Sequence, residues 1–122
     1  MAPSNLDVGA AGEEAALQHL LSSGCTLLAR DWRCSIGQAD LVVQDHGACV
    51  LVEVKSRRGS GFGLPQEAVD WRKQRKLAQL MEAFRLSTGR THLPCRIDVV
   101  AVTLDRELAV VGIDHIRDAV HG

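Results

Sequence analysis

Ala39-Asp40-Leu41-Val42-Val43-Gln44, Asp45-His46-Gly47, Ala48-Cys49-Val50-Leu51-Val52-Glu53-Val54-Lys55: two short β-rich runs flank three turn-forming residues, the pattern of a β-hairpin. Side chains alternate between faces along a strand, so Val50, Val52 and Val54 share one face while Leu51, Glu53 and Lys55 share the other. Apolar residues on both faces make this an interior strand, where a carboxylate is costly to bury without a compensating cation. Asp40 lies thirteen residues before Glu53, and antiparallel pairing brings the two acids within reach of one ion.

Upstream, Ala16, Leu17, Leu20 and Leu21 repeat at helical spacing between Gly9 and Ser23, with Glu13 and Glu14 read as the first turn and Gly24 as the stop. Cys25 to Arg33 reads as a strand. Downstream, Arg57 to Leu64, with Gly59, Gly61 and Gly63, has no period and reads as a loop before Pro65 opens the next helix. That helix is expected from Gln66 to about Leu86. Val69, Leu77, Leu80, Met81 and Phe84 lie on one side, Arg72, Lys73, Arg75 and Lys76 cluster in the first half, and Gly89 marks the stop. Arg96 to Thr103 and Leu108 to Ile113 read as two further strands joined through Asp105-Arg106-Glu107, with a short helix expected after Asp114. The order αβββαββ predicts an α/β fold, a central mixed sheet flanked by helices. The long helix crosses over to a strand that pairs in parallel.

At 122 residues the chain builds one core and one domain, 1–122, with residues 1–8 expected to be a flexible start. No basic leader precedes an apolar run, and no stretch approaches membrane-spanning length, so a cytoplasmic location without membrane contact is expected. Cys25, Cys34, Cys49 and Cys95 are scattered without a Cys-x-x-Cys pair, which leaves buried reduced thiols as the plainer reading. The five histidines are equally dispersed and receive no role.

The net charge of -1 conceals an uneven distribution: seven of the fourteen basic residues fall between Lys55 and Lys76, opposed there by Glu67 and Asp70. From charge alone a solvated helix surface is the favoured explanation of this cluster, with a local basic face as the alternative.

Asp40 and Glu53 suit magnesium, which takes a few hard carboxylate oxygens, keeps water in its other positions and is completed by substrate phosphate. Lys55, two residues past Glu53 and on the same face, is placed to orient a water and to offset charge on phosphorus. A Glu-x-Lys step alone is weak, because surface strands often alternate acid and base. Glu13 is a third acid that could reach the same ion, although acids also stabilise helix starts.

In order, Gly9-x-x-Gly12-Glu13-x-x-Ala16, Arg30-Asp31-x-Arg33, Gly37-Gln38-Ala39-Asp40-Leu41, Val52-Glu53-Val54-Lys55-x-Arg57, Phe62-Gly63-x-Pro65, Ala68-Val69 with Lys73, and Arg96-Ile97-Asp98-Val99-Val100 resemble the YraN-like family of small bacterial proteins. The resemblance runs from Gly9 to about Val102. That family is similar to Holliday-junction resolvases and to restriction-endonuclease-like proteins of the PD-(D/E)XK type. The resemblance implies a restriction-endonuclease-like three-layer fold and Mg2+-dependent (or Mn2+-dependent) cleavage of nucleic acid, DNA before RNA. It makes Glu13, Asp40 and Glu53 candidate metal ligands and Asp40, Glu53 and Lys55 the candidate catalytic set. Arg57, Arg58, Arg72, Lys73, Arg75 and Lys76 become candidate phosphate contacts, and the resolvase likeness suggests a homodimer. Two positions depart from the family's usual pattern: Gln38 stands where Gly-Glu-Ile-Asp has its glutamate, and Asp31 where Arg-Asn is usual. Loss of the acid before Asp40 opens an alternative, a noncatalytic nucleic-acid-binding module that keeps the fold. A third reading is an interaction domain that binds no nucleic acid.

Overall fold

The computed structural model describes residues 5–59 and 70–120. Its elements run α1 (Asn5–Ser22), β1 (Thr26–Arg33), β2 (Gln38–Asp45), β3 (Ala48–Arg58), α2 (Trp71–Ser87), β4 (Cys95–Leu104) and β5 (Val110–Ile116). The five strands form one sheet in chain order. Only β3 and β4 are parallel; the other neighbours are antiparallel. The expected αβββαββ order and parallel crossover are both present.

The hairpin's register is set by its turn. His46 and Gly47 both have positive φ, 51° and 95°, so Asp45 pairs directly with Ala48 through a two-residue connection whose twist matches the strands. With that register, β3 exposes neither face. Val50 and Val52 pack with Ala16, Leu17 and Leu20 of α1 on one side. Leu51 packs with Leu77, Leu80, Met81 and Phe84 of α2 on the other. The result is three layers, α1 over the sheet over α2, with β3 at the centre and a core on each face. All four cysteines are free thiols.

Several boundaries differ from the sequence reading. Helix α1 starts at Asn5, not Gly9, and Val8 is buried, so residues 5–8 belong to the fold. Its first turn carries Asp7. Glu13 and Glu14 sit further along and face Arg30. The helix ends as predicted: Gly24 takes φ 96°, Cys25 N–H donates to the Leu20 carbonyl and Gly24 N–H to that of Leu21. Strand β3 runs through Arg58 where a loop was expected from Arg57, because β4 continues to pair with it out to Arg58↔Leu104. Helix α2 begins at Trp71, not Gln66. Asp70 is extended and accepts the Lys73 N–H at 2.9 Å, which caps the helix there. The glycine-rich stretch 60–64, Pro65 and Gln66–Val69 lie outside the described residues.

Among the described residues, no helix follows Asp114. Strand β5 continues to Ile116 and a turn follows, because the Asp98 carboxylate accepts the Asp118 N–H and the Ile97 carbonyl accepts the Ala119 N–H. Among the described residues, no helix is long and apolar enough to cross a membrane.

Candidate active site at the open end of the hairpin

The β2–β3 ladder runs from Asp45↔Ala48 to Leu41↔Val52 and stops. One step further, Asp40 would face Glu53, and two carboxylates directly opposed repel. The strands part instead. Asp40 Oδ2 accepts the Val54 N–H at 2.9 Å, so a side chain takes over a bond that backbone would otherwise make. Burial, and then the neighbouring Glu53 charge, push the Asp40 carboxyl from 3.8 up to about 6. The Val54 N–H and Lys73 pull the other way without balancing this, and Asp31 adds to the rise.

Glu53 is itself buried, at 6% exposure, and points toward α2. Its Oε1 lies 3.4 Å from Lys73 Nζ and 3.8 Å from Lys55 Nζ. It is therefore neutralised from the helix side, while Asp40 is not. A cavity of about 420 Å³ opens beside Asp40, lined by Val8, Gly9, Glu13, Asp40, Val54, Lys55 and Ser56. Lys55 thus bridges the two sides of the strand end, touching Glu53 and lining the Asp40 cavity; Glu53 is not on that wall.

Glu13 reaches the cavity because α1 lies tightly on β3. A Cβ at Gly12 would sit 1.7 Å from Ser56 Oγ and 2.6 Å from its Cβ, so glycine permits the approach that carries Glu13 to the wall. Glu13 Oε1 accepts from Arg30 Nε at 3.0 Å. Burial nevertheless outweighs that partner and raises the Glu13 pKa, with Asp31 and Asp40 contributing.

Among the described residues, no three His, Cys, Asp or Glu side chains gather into a ready-made metal cage. Magnesium does not require one: one or two carboxylates plus water and substrate phosphate suffice. Asp40 and Glu53 are the residues that could hold such an ion. The lack of positive charge at Asp40 is what a small hard cation would relieve.

The basic cluster divides. Lys73 turns inward to Glu53. Arg72 and Arg75 flank Trp71, and Lys76 lies along Gly37. Arg57 and Arg58 sit half-buried on β3 opposite Thr103 and Leu104. Sequence reasoning gave no role to Arg30, Ser56 or Trp71, and it placed Lys73 among phosphate contacts. The partners of Arg30, Ser56 and Lys73 lie far away in sequence, so spacing carries no signal for them, whereas Trp71 stands next to Arg72 and one helical turn before Arg75. The two departures from the family pattern meet: Gln38 Nε2 donates to Asp31 Oδ1 at 3.0 Å across β1 and β2. The acid missing at position 38 is present one strand away, at Asp31.

Fold and site together define a three-layer α/β protein whose central strand carries a buried glutamate attended by lysines, with a half-buried aspartate beside it on the neighbouring strand. The match to a family model described as "Uncharacterised protein family UPF0102" covers residues 12–102, and the chain belongs to that family. A UPF0102 protein of Pelotomaculum thermopropionicum is 40% identical over 98% of this chain and 99% of its own. One from Symbiobacterium thermophilum is 48% identical over 78% of this chain and 80% of its own. A relative from Neisseria gonorrhoeae is 42% identical over 80% and 85%. This is the YraN-like family that the ordered motifs resembled.

Proposed function

We propose that this protein is a Mg2+- or Mn2+-dependent endonuclease that hydrolyses phosphodiester bonds in nucleic acid, with DNA, branched or damaged, as the favoured substrate. The observation that carries this reading is the Asp40 carboxylate, half-buried beside Glu53 without a balancing cation, on a cavity wall shared with Lys55 and Glu13. When bound, a divalent cation supplies charge stabilisation at the scissile phosphate and acidifies an attacking water. Asp40 and Glu53 are its holders. The Val54 N–H holds the Asp40 carboxylate in place, where it would help to hold the ion. Lys55, on the cavity wall, offers an ammonium to a phosphate oxygen as charge develops there. Glu13, whose proton is held more tightly than usual, is placed to exchange one at the same wall.

The experiment is a cleavage panel of single-stranded, duplex, nicked and four-way DNA, plus RNA, with Mg2+ or Mn2+. Asp40→Ala and Glu53→Ala should lose cleavage while remaining folded by circular dichroism. Equal cutting by parent and variants sinks the proposal. A second reading, a noncatalytic nucleic-acid-binding module, draws on the occupied state of Glu53 and Glu13, each already paired with basic side chains. It predicts salt-sensitive binding that ignores divalent ions.

A further inference from the structure

On the side of α2 away from the Glu53 contact lies a surface that the cleavage site does not use. Lys73, Leu77, Leu80 and Phe84 recur at helical spacing and face the sheet. Trp71, Arg72, Arg75, Lys76 and Gln79 fall on the rest of the helix, and with Ile36 they line a groove of about 300 Å³. Trp71 is 60% exposed and Ile36 38%. Ile36 is held at the tip of a closed turn, in which Cys34 and Gly37 exchange both backbone hydrogen bonds, at 2.9 and 3.2 Å. The guanidinium carbons of Arg72 and Arg75 lie 5.7 and 5.6 Å from the Trp71 ring centroid.

A large aromatic ring left in water beside an apolar side chain is unusual, and three cations border this one. We propose that Trp71 is a stacking platform for an unpaired nucleobase, with Arg72, Arg75 and Lys76 receiving the phosphates on either side of it. The inference rests on the nucleic-acid reading above and names the feature of the substrate that this surface selects. Bases inside a duplex are stacked on each other and offer no face to a tryptophan, whereas those of a single strand, flap or junction arm do. Charge complementarity selects nucleic acid over an apolar peptide: the groove's charged residues are all basic. Its apolar part, Trp71 with Ile36, has the flat form that stacking uses.

The chain has two tryptophans, and Trp32 packs edge-on against Phe84 in the core, so Trp32→Phe leaves Trp71 as the sole reporter. Titrating that protein with a short thymidine oligonucleotide should quench its fluorescence, whereas blunt duplex of the same length should not. In the otherwise unaltered chain, Trp71→Ala should weaken single-strand binding about tenfold and Trp71→Phe should restore most of it, as expected for loss and return of one stacked base. Duplex binding should change far less. No quenching together with parent-like single-strand affinity in Trp71→Ala overturns the proposal. So does a Trp71→Ala variant that loses self-association but keeps its oligonucleotide affinity, since the surface would then serve a second copy. Failure here with intact Mg2+-dependent cleavage removes only the platform; absence of all nucleic-acid binding removes the functional reading as well.

Discussion

Two aspartates in the same sheet, Asp98 buried and Asp40 half-buried, meet opposite treatment. Asp98, on β4, is fully buried and fully answered. It accepts from Arg96 at 3.0 and 3.2 Å, lies 2.9 Å from His115 Nε2 and takes the Asp118 N–H at 2.9 Å. Burial opposes its ionisation, but His115, Arg96 and that N–H prevail and hold the carboxyl below its usual value. Arg96 in turn reaches Asp45 at 2.6 Å, and His115 Nδ1 lies 3.2 Å from His19 Nε2 on α1. Asp40 has one backbone donor, an acidic neighbour and a pKa pushed up to about 6. The fold can neutralise a buried acid completely, as it does at Asp98. Asp40 is left short of positive charge beside a cavity, and the proposed divalent cation rests on that shortfall.

The sharpest way to break this contrast is to remove each acid in turn. Asp98→Ala leaves the half-buried Arg96 with Asp45 alone and removes the acceptor of buried His115 and of the Asp118 N–H, which should cost about 3–5 kcal/mol in urea unfolding. A loss within about 0.5 kcal/mol, the range of ordinary surface substitutions, would show that the network holds nothing together. Asp40→Asn should act in the opposite direction. The folded state holds the Asp40 proton more tightly than the unfolded chain, so its contribution is full below pH 3.8 and is lost as pH rises through about 6. At pH 8 without divalent ions, the asparagine variant should be more stable than the parent, by at most about 3 kcal/mol. Added Mg2+ should then raise the melting temperature of the parent and leave the variant unmoved. For Asp98 the linkage reverses: its contribution is present above pH 3.8 and disappears as pH falls through its lower folded value.

Smaller effects test what holds α1 over the Asp40 end. Gly12→Ala should destabilise by about 1–3 kcal/mol through overpacking on Ser56. The double variant with Ser56→Gly should recover most of that, because the nearest remaining atom, the Ser56 Cα, is 3.5 Å away. If alanine at position 12 is stabilising, as its helix propensity alone would dictate, the close approach is not a constraint. Smallest of all, Gln38→Glu places a second carboxylate against Asp31 on the exposed hairpin edge, a change of about 0.5 kcal/mol or less. Asp31→Asn in the same chain should cancel it, which thermal melts in low salt can resolve.

Much of the hairpin was legible because its causes are local. Alternation along Val50–Lys55 predicts which side chains face α1 and which face α2, but the turn read over Asp45-His46-Gly47 closes to two residues, and that pairing of Asp45 with Ala48 is what opposes position 40 to position 53. The split at that pair was not legible, since it arises from repulsion between residues that meet only after the strands align. Lys73 reads as one cation of a helical cluster until the Asp70 cap fixes where α2 begins and therefore which way Lys73 faces. Asp98 reads as one residue of a strand motif; its partners His115 and Asp118 lie 17 and 20 residues further on, and Asp45 joins the network from β2 through Arg96. The helix expected after Asp114 failed for that reason: local propensity lost to a distant carboxylate that captures the Asp118 backbone.

The parallel pairing of β3 with β4 also bears on the order of assembly. The β1–β2–β3 meander closes through short turns, whereas ten β3–β4 pairs, from Cys49↔Cys95 to Arg58↔Leu104, wait for the whole α2 crossover to fold back. Loop closure of that length is slow beside a hairpin turn. The strand bearing Glu53 and Lys55 should therefore gain its second neighbour late, with pulse-labelled amide exchange protecting β2 before β4. Simultaneous protection of the two strands would contradict this order. The end of β3 that carries Glu53 and Lys55 would then stay open along one edge until the rest of the chain is in place.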